Sequence, residues 1–354
     1  MQSEAAGRAA GTRSRSASGR TVLLGHGGGG KLTHDLIAQV FLPSFDNASL
    51  RALGDSAVLD LEPRSGRLAF TTDSYVVKPI SFPGGDIGRI AVCGTVNDLA
   101  MAGARPLYIS AAFIIEEGLP IDTLATLARS MRAAADEAGV AIVTGDTKVV
   151  ERGSADGLFI TTAGVGIVPA DVDVSVARAR AGDAVLVSGA VGDHGIAIAT
   201  RRAGIEMTAE VTSDAAPLNH VVEAMFASGA EVRALRDATR GGVATVLNEI
   251  AGASGVGVRL DERAIPIHGP VQAACDLLGF DPLYVANEGK LVAVVGRADA
   301  DRALAAMRAT RYGEEAAIIG EITAEPQGKV LLRTRIGGTR IVAMPSGELL
   351  PRIC

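Results

Sequence analysis

The chain has 354 residues, 48% apolar and 21% charged, with a net charge of −6: room for two soluble domains and no global attraction for a nucleic-acid backbone. Aromatic residues make up only 3% and tryptophan is absent, which argues against stacking on bases. No apolar run approaches the ~20 residues of a membrane-spanning helix, and three cysteines, Cys93, Cys275 and Cys354, have neither disulfide-framework nor metal spacing, the usage of a reducing cytoplasm.

Residues 1–20 carry four Arg and no apolar core, so they read as a disordered extension rather than a secretory signal. In "VLLGHGGGGKLTHD", Gly25, Gly30 and Lys31 have the spacing of a Walker A loop, but Leu32 stands where that loop needs a hydroxyl for Mg²⁺. The run is then either a linker or a flap whose backbone N–H groups wrap an anion, with Gly28, Gly29, Gly30 and Lys31 as its phosphate contacts. A short helix follows over 33–41, with Leu36, Ile37 and Val40 on one face. A strand begins at Leu68 and gives way to a loop at "DSYVVKP"; "IAVCGTVNDLAMAGA" is apolar and helical. "PIDTLATLARSMRAAADEAG" is an amphipathic helix that Gly139 ends. "VAIVTGDTKVV" reads as a buried strand broken at Thr144–Gly145–Asp146, and "GLFITTAGVGIVP" as a strand ending near Pro169. A linker near residue 175 opens a second half. There "DAVLVSGAVGDHGIAIAT" and "LRDATRGGVATVLNEIAG" each give strand, Gly-rich loop and helix. "KLVAVVG", "ADRALAAMRA" and "AAIIGEI" form strand, helix and strand, before a hairpin turning at Gly337–Gly338. Both halves are α/β, and no G-x-G-x-x-G marks a Rossmann turn.

Four aspartates carry the chemical signal: Asp55 in "LGDSAVL", Asp73 in "TTDSYVVKP", Asp98 in "GTVNDLAMAG" and Asp146 in "TGDTKVV". Singly, each reads as a turn or cap residue. As a set, with Asn97, Gly145, Thr147 and Lys148 beside them, hard carboxylate oxygens suit Mg²⁺ bridging to nucleotide phosphates. "SGAVGDHG" and "DATRGG" precede helices whose free N–H groups attract anions, with His194 and Arg240 as further donors, or they are ordinary capped loops. Glu288 in "NEGK" is either a proton-accepting carboxylate or a solvated strand-entry residue. Cys93 and Cys275 have apolar helical neighbours and read as buried and inert. Cys354 ends "MPSGELLPRIC", whose last ten residues, 345–354, form a tail that reaches ~33 Å when extended and can carry a reactive thiol into a cleft.

These stretches together resemble the HypE family of hydrogenase maturation factors, within the aminoimidazole ribonucleotide synthetase and selenophosphate synthetase (PurM-like) superfamily. The aspartate loops are shared across the superfamily; "NEGK" with a terminal "PRIC" is specific to the family. The resemblance implies an α/β (α+β) fold of two domains, 21–170 for ATP binding and dimerisation and 176–344 as a C-terminal α/β sandwich, with a mobile tail 345–354. It implies that the N-terminal sheets of a homodimer form a barrel, with ATP between the domains. It further implies ATP-dependent dehydration of a carbamoyl group on the Cys354 sulfur to a thiocyanate. The carbamoyltransferase HypF loads that group, and a HypC–HypD scaffold receives the cyanide on iron. In that scheme Asp55, Asp73, Asp98 and Asp146 hold Mg²⁺, Lys148 steadies the transferring phosphoryl group and Glu288 takes a proton. Two alternatives stand beside it. One is a sibling such as selenophosphate synthetase (which needs a Cys or selenocysteine that the Gly-rich segment lacks) or a thiamine-phosphate kinase-like enzyme. The other is a non-catalytic carrier whose tail serves for docking.

Overall fold

The computed structural model describes residues 21–27, 31–51, 66–205, 207 and 209–345. The segment expected as one helix over 33–41 is instead α1 (Lys31–Leu36), a π-helical turn at Ile37–Phe41 and α2 (Leu42–Phe45), with α3 (Ala48–Arg51) after it. Phe41 anchors it, with ring centroids 6.1 Å from Phe45 and 4.8 Å from Phe113. The first half continues through β1 (Gly66–Tyr75), a ribbon of β2 (Ser81–Phe82) and β3 (Gly85–Asp86), α4 (Ile87–Met101), β4 (Arg105–Glu116), α5 (Ile121–Ala138), β5 (Ala141–Val150) and β6 (Leu158–Pro169). Asp86 caps α4 by accepting the Arg89 N–H at 2.9 Å, and Gly139, at φ 72°, closes α5 in the left-handed conformation that favours glycine.

These strands form one sheet in the order β1-β6-β4-β5, with β5 parallel to β4 and the other pairs antiparallel. Helices α4 and α5 cover one face, burying Ile90, Leu124, Leu127 and Met131 completely or nearly so. The other face is open, and Leu68, Phe70 and Ile114 are 64%, 69% and 41% exposed on it. Two sequence expectations change here. Strand β1 runs on through Asp73 to Tyr75, so Asp73 is a strand residue rather than a loop residue. Strand β5 is not broken at Thr144–Gly145–Asp146; it continues to Val150 past a bulge, Ile142 standing opposite Ile109 and Thr144 opposite Ser110. Val143 is the inserted residue. Gly145 serves the pairing, since a Cβ there would run into the Ala111 carbonyl of β4.

The second half contains β7 (Ala184–Val187), α6 (Asp193–Ala203), α7 (Asn219–Ala227), β8 (Val232–Asp237), α8 (Gly242–Ser254), β9 (Gly257–Asp261), α9 (Gly269–Leu278), β10 (Leu291–Val295), α10 (Ala300–Arg308), β11 (Ala317–Thr323), β12 (Val330–Arg333) and β13 (Thr339–Ile341). Its seven-stranded sheet runs β13-β12-β9-β11-β7-β10-β8. Every residue of β7 and β10 is buried, because α8 packs on one side and α7 with α10 on the other. That is why "AVLV" and "LVAVV" are continuous apolar runs rather than alternating ones. No described helix is long and apolar enough to cross a membrane.

Side chains from α4 and α7 join the halves. Arg89 donates to the Ala215 carbonyl at 2.8 Å and to Glu137 at 3.0 Å, and Asn219 donates to the Ala138 carbonyl at 3.0 Å. Asn97, 1% exposed, accepts the Leu218 N–H at 2.7 Å and donates to the carbonyls of Ala216 at 3.1 Å and Glu288 at 3.5 Å. Asn97→Ala removes these three bonds and leaves the Leu218 N–H without its acceptor, and urea denaturation should show a loss of about 2 kcal/mol. An unchanged midpoint would remove Asn97 from the joint.

Candidate active site

Strand alternation decides which aspartates meet. Asp73 stands opposite Thr162, which is fully buried, so Asp73 looks to the side covered by α4. Thr71, two residues earlier on the same face, donates to Asp98 Oδ2 of α4 at 2.9 Å. Helix α4 also packs against β8, whose last residue, Asp237, is 9% exposed. Burial raises the Asp98 carboxyl above its ordinary value, and the neighbouring Asp73 charge raises it further. Burial and then the charges of Asp98 and Asp73 push Asp237 up to about 6, against the pull of Arg236. Asp73, Asp98 and Asp237 therefore share one electrostatic environment between the two sheets. The sequence reading quoted Asp237 in "DATRGG" but left it out of the acidic set. Its signal was an aspartate ending an apolar strand before glycines.

Asp146 does not join them in one chain. Ser74, Thr161, Ala112 and Asp146 form one cross-strand row, and Ser74 bonds Thr161 at 3.1 Å on the open face. Asp146 and Lys148 lie on that face, paired at 3.0 Å with side chains 62% and 65% exposed. Three strand spacings of about 4.8 Å put Asp146 about 14 Å from β1. The expected four-aspartate metal set is thus split by the sheet. Among the described residues, no three His, Cys, Asp or Glu side chains stand at metal-holding distances. The donor chemistry of Asp73, Asp98 and Asp237 nevertheless fits a divalent cation: hard oxygens only, and mutual repulsion that such a cation would relieve.

The loops divide in the same way. The N-terminus of α6 is already bonded, Gly192 N–H to Asn287 Oδ1 at 2.8 Å and Gly195 N–H to the Ala286 carbonyl at 3.0 Å. His194, fully buried, bonds Ser213 Oγ at 2.8 Å and stands edge-on to Phe82. Gly242 presses on the 283–285 segment, where a Cβ would lie 2.6 Å from two carbonyl oxygens, and Arg240 is exposed beside it. Thr147 donates its backbone N–H to Asp146 at 2.8 Å. Lys31 opens α1. Gly28, Gly29, Gly30, Asp55 and Cys354, with the 1–20 extension and the end of the tail, lie outside the described residues.

Glu288 is 2% exposed, which removes the solvated-carboxylate alternative. Its N–H donates to Asp214 Oδ1 at 2.9 Å, and Asp214 pairs with Lys290 at 3.3 Å. The Glu288 backbone carbonyl accepts from Asn97 of α4 at 3.5 Å, which holds the residue against the helix that bears Asp98. The Cys93 thiol is pushed to about 12 and that of Cys275 to about 11, chiefly by burial, and both are inert as expected.

Comparison with known proteins completes the assignment. Residues 53–168 and 180–333 match the N- and C-terminal domains of AIR synthase related proteins. Carbamoyl dehydratase HypE of Cupriavidus necator is 54% identical over 337 residues, 95% of each chain, and that of Escherichia coli K12 is 47% identical over 94% of this chain and 99% of its own. The chain belongs to the HypE family of carbamoyl dehydratases. Among solved HypE structures, a hydrogenase maturation protein HypE in complex with ATP superposes with a TM-score of 0.90 at 50% identity, covering 94% of this chain and 99% of that one. A HypE–HypF complex gives 0.77 at 47% identity, covering 89% and 100%. A thiamine-monophosphate kinase from Stenotrophomonas maltophilia, at 22% identity over 80% of this chain and 89% of its own with a TM-score of 0.62, shares the fold alone.

The raised Asp237 carboxyl has a measurable consequence in this HypE chain. The stability it contributes is fully present below its unfolded pKa, ~4, and is lost as pH rises through about 6. Asp237→Asn should therefore melt higher than the parent chain above pH ~6, by a gap that closes below pH ~4, in thermal melts without nucleotide or metal. Equal melting at pH 7.5 would contradict the placement of Asp237 among like charges.

Proposed function

We infer that this chain is the ATP-dependent carbamoyl dehydratase of hydrogenase maturation, acting on a carbamoyl group that HypF places on its own Cys354. The observation that carries the reading is a buried Glu288 whose backbone is bonded to Asn97, the neighbour of Asp98 on α4. A carboxamide oxygen is a poor leaving group. Its attack on the γ-phosphate of ATP, with loss of one N–H proton, gives an O-phosphoryl thioimidate and ADP. Removal of the second N–H proton by Glu288 breaks the C–O bond, so that phosphate leaves and S–C≡N remains on Cys354. The cyanide then passes to iron on a HypC–HypD scaffold. Asp55, Asp73 and Asp98, joined by Asp237, would hold Mg²⁺, which when bound neutralises phosphate charge. Gly28–Gly30, Lys31 and Arg240 remain the proposed phosphate contacts. Asn97, Gly145 and Thr147 support the site through backbone, as strut and strand.

Incubation with HypF, carbamoyl phosphate and ATP should add ~43 Da and then remove ~18 Da at Cys354 by intact-mass spectrometry. Glu288→Gln should stop at the first mass, with dehydration slowed about 100-fold or more. Full dehydration by that variant would remove Glu288 as the base.

Lys148 and Asp146 enter through a second copy. β1 and β5 are the two edges of the four-stranded sheet, and the open face carries Leu68, Phe70 and Ile114. Two sheets pairing open face to open face as a barrel cover that apolar surface and bring β5 of one copy beside β1 of the other. Lys148, which this pairing places inside the barrel at the seam, would pass around the other copy's β1 edge to steady a phosphoryl group on the Asp73 side of that sheet. Asp73→Asn and Lys148→Met, each inactive alone, should recover about a quarter of parent ATP turnover when co-refolded, since half the dimers are mixed and each holds one intact site of two. No recovery would place both residues in one chain's site.

A further inference from the structure

Glu288 is gripped through its backbone on both sides, and a buried ion pair supplies one of the two grips. Its carbonyl accepts from the Ala216 N–H at 3.4 Å and from Asn97 Nδ2 at 3.5 Å. Its N–H donates to Asp214 Oδ1 at 2.9 Å. The other oxygen of Asp214 pairs with Lys290 Nζ at 3.3 Å, and the same ammonium donates to the Gly289 carbonyl at 3.2 Å. Segments 213–216 and 287–290 lie so close that a Cβ on Gly289 would run into the Asp214 carbonyl oxygen. The first of these segments is itself fixed to the N-terminal half. Ser213 donates its N–H to the Pro83 carbonyl at 2.8 Å, and the Ala215 carbonyl accepts from Arg89 at 2.8 Å.

Packing alone does not call for charge here. The side chains of Asp214 and Lys290 are 3% and 12% exposed, so both charges are largely out of water, a penalty that an apolar pair of similar size avoids. What the ion pair supplies is direction. The terminal torsion of an aspartate is soft, so its oxygens ordinarily sweep a broad arc. With Oδ2 tied to Lys290, Oδ1 stands in one place, and the Glu288 N–H is tied to that place. Asn287, the residue before, is locked as well: it donates Nδ2 to the Ala238 carbonyl at 2.8 Å and accepts the Gly192 N–H at 2.8 Å. A backbone fixed on both sides of the Glu288 Cα fixes its Cα–Cβ direction. A proton-accepting carboxylate has to come within hydrogen-bond reach of its proton, and a misplacement of about 1 Å costs about 100-fold in rate.

We propose that Asp214, oriented by Lys290, is a positioning residue for Glu288 in the dehydration of the S-carbamoyl group. The inference rests on the dehydratase reading above. Neither side chain exchanges a proton or forms a bond in the reaction; both act through the place in which they hold Glu288.

The test compares two double variants of the full-length chain, each carbamoylated by HypF and followed by intact mass. The apolar form is Asp214→Leu with Lys290→Met; the amide form is Asp214→Asn with Lys290→Met. Neither leaves a buried charge alone, and they differ in whether residue 214 can accept the Glu288 N–H. The apolar form should gain ~43 Da at the parent rate and keep the parent KM for ATP, while kcat for the ~18 Da loss falls about 100-fold. The amide form should recover to within about tenfold of the parent. In a Glu288→Gln background the apolar pair should slow dehydration no further, because a positioning residue is silent once the group it positions is gone. Dehydration by the apolar form within about threefold of the parent would overturn the assignment. So would an amide form as slow as the apolar one, or a further loss in the Glu288→Gln background. An apolar form that melts lower and loses ATP binding together with dehydration also overturns it, since that is the behaviour of a structural pair. A parent chain that gains ~43 Da but never loses ~18 Da, or a Glu288→Gln chain that dehydrates at the parent rate, removes the underlying reading and this inference with it. A parent and a Glu288→Gln chain that behave as expected, beside a fast apolar form, remove only Asp214 and Lys290.

Discussion

Helix α4 is buried on nearly every side, and the rest of the molecule is arranged around that fact. Thirteen of its fifteen residues are buried; the two exceptions are Arg89 and Asp98. A helix that is apolar all round has to be sandwiched, and α4 lies between the four-stranded sheet with α5 on one side and β8 with α7 on the other. Each polar group it carries is committed. Arg89 and Asn97 hold the backbone of the second half, Thr95 bonds Thr162, and Asp98 accepts from Thr71. The joint is thus a packed helix rather than a linker, which fixes the spacing between Asp98 and the Glu288 segment.

That packing gives the site its electrical character. The groups that α4 gathers are carboxylates and a neutral phenol, with little positive charge beside them. A nucleotide polyphosphate is itself an anion, so such a site accepts it only through bound cations. This is the reverse of a Walker A loop, where backbone N–H groups and a lysine meet the phosphates directly. The glycines at 94, 145 and 242 accordingly serve close packing against Tyr75, Ala111 and the 283–285 segment. The raised Asp98 and Asp237 carboxyls are the stability cost of gathering those charges around α4.

How much of this is legible in sequence depends on whether the determinant is local. The apolar period of α5 and its Gly139 stop are local, and both are found where expected. The charge of Asp98 within an apolar helix is also local, and it led to the site. Strand β4 is not legible, because "RPLYISAAFIIE" runs apolar at 107–109 and 111–115 and only its burial in the fold alternates, and the proline with the preceding "AGA" blurs its start. The burial of Glu288 is set by Asp214 and Asn97, far away in sequence, and nothing in "NEGK" announces it. Asn97 sits beside Asp98 and was grouped with it, yet the two side chains serve different partners.

The bulge at Val143 is the least legible feature and among the most consequential. Had β5 paired without an inserted residue, Asp146 would stand opposite Phe113 and face the covered side, with Asp73 and Asp98. With Val143 inserted, Asp146 stands opposite Ala112 and its row belongs to the open face. A slip of one residue moves every later side chain across the sheet, and neither alternation nor composition in "AIVTGDTKVV" records which parity is chosen. The same parity puts Lys148 on the open face, opposite the exposed Ile114 of β4. An apolar sheet face favours covering by another surface through the hydrophobic effect. A second copy supplying that surface would bury Leu68 and Phe70 and place Lys148 at the seam between the copies. The inserted Val143 thus decides which side of the sheet Asp146 and Lys148 occupy.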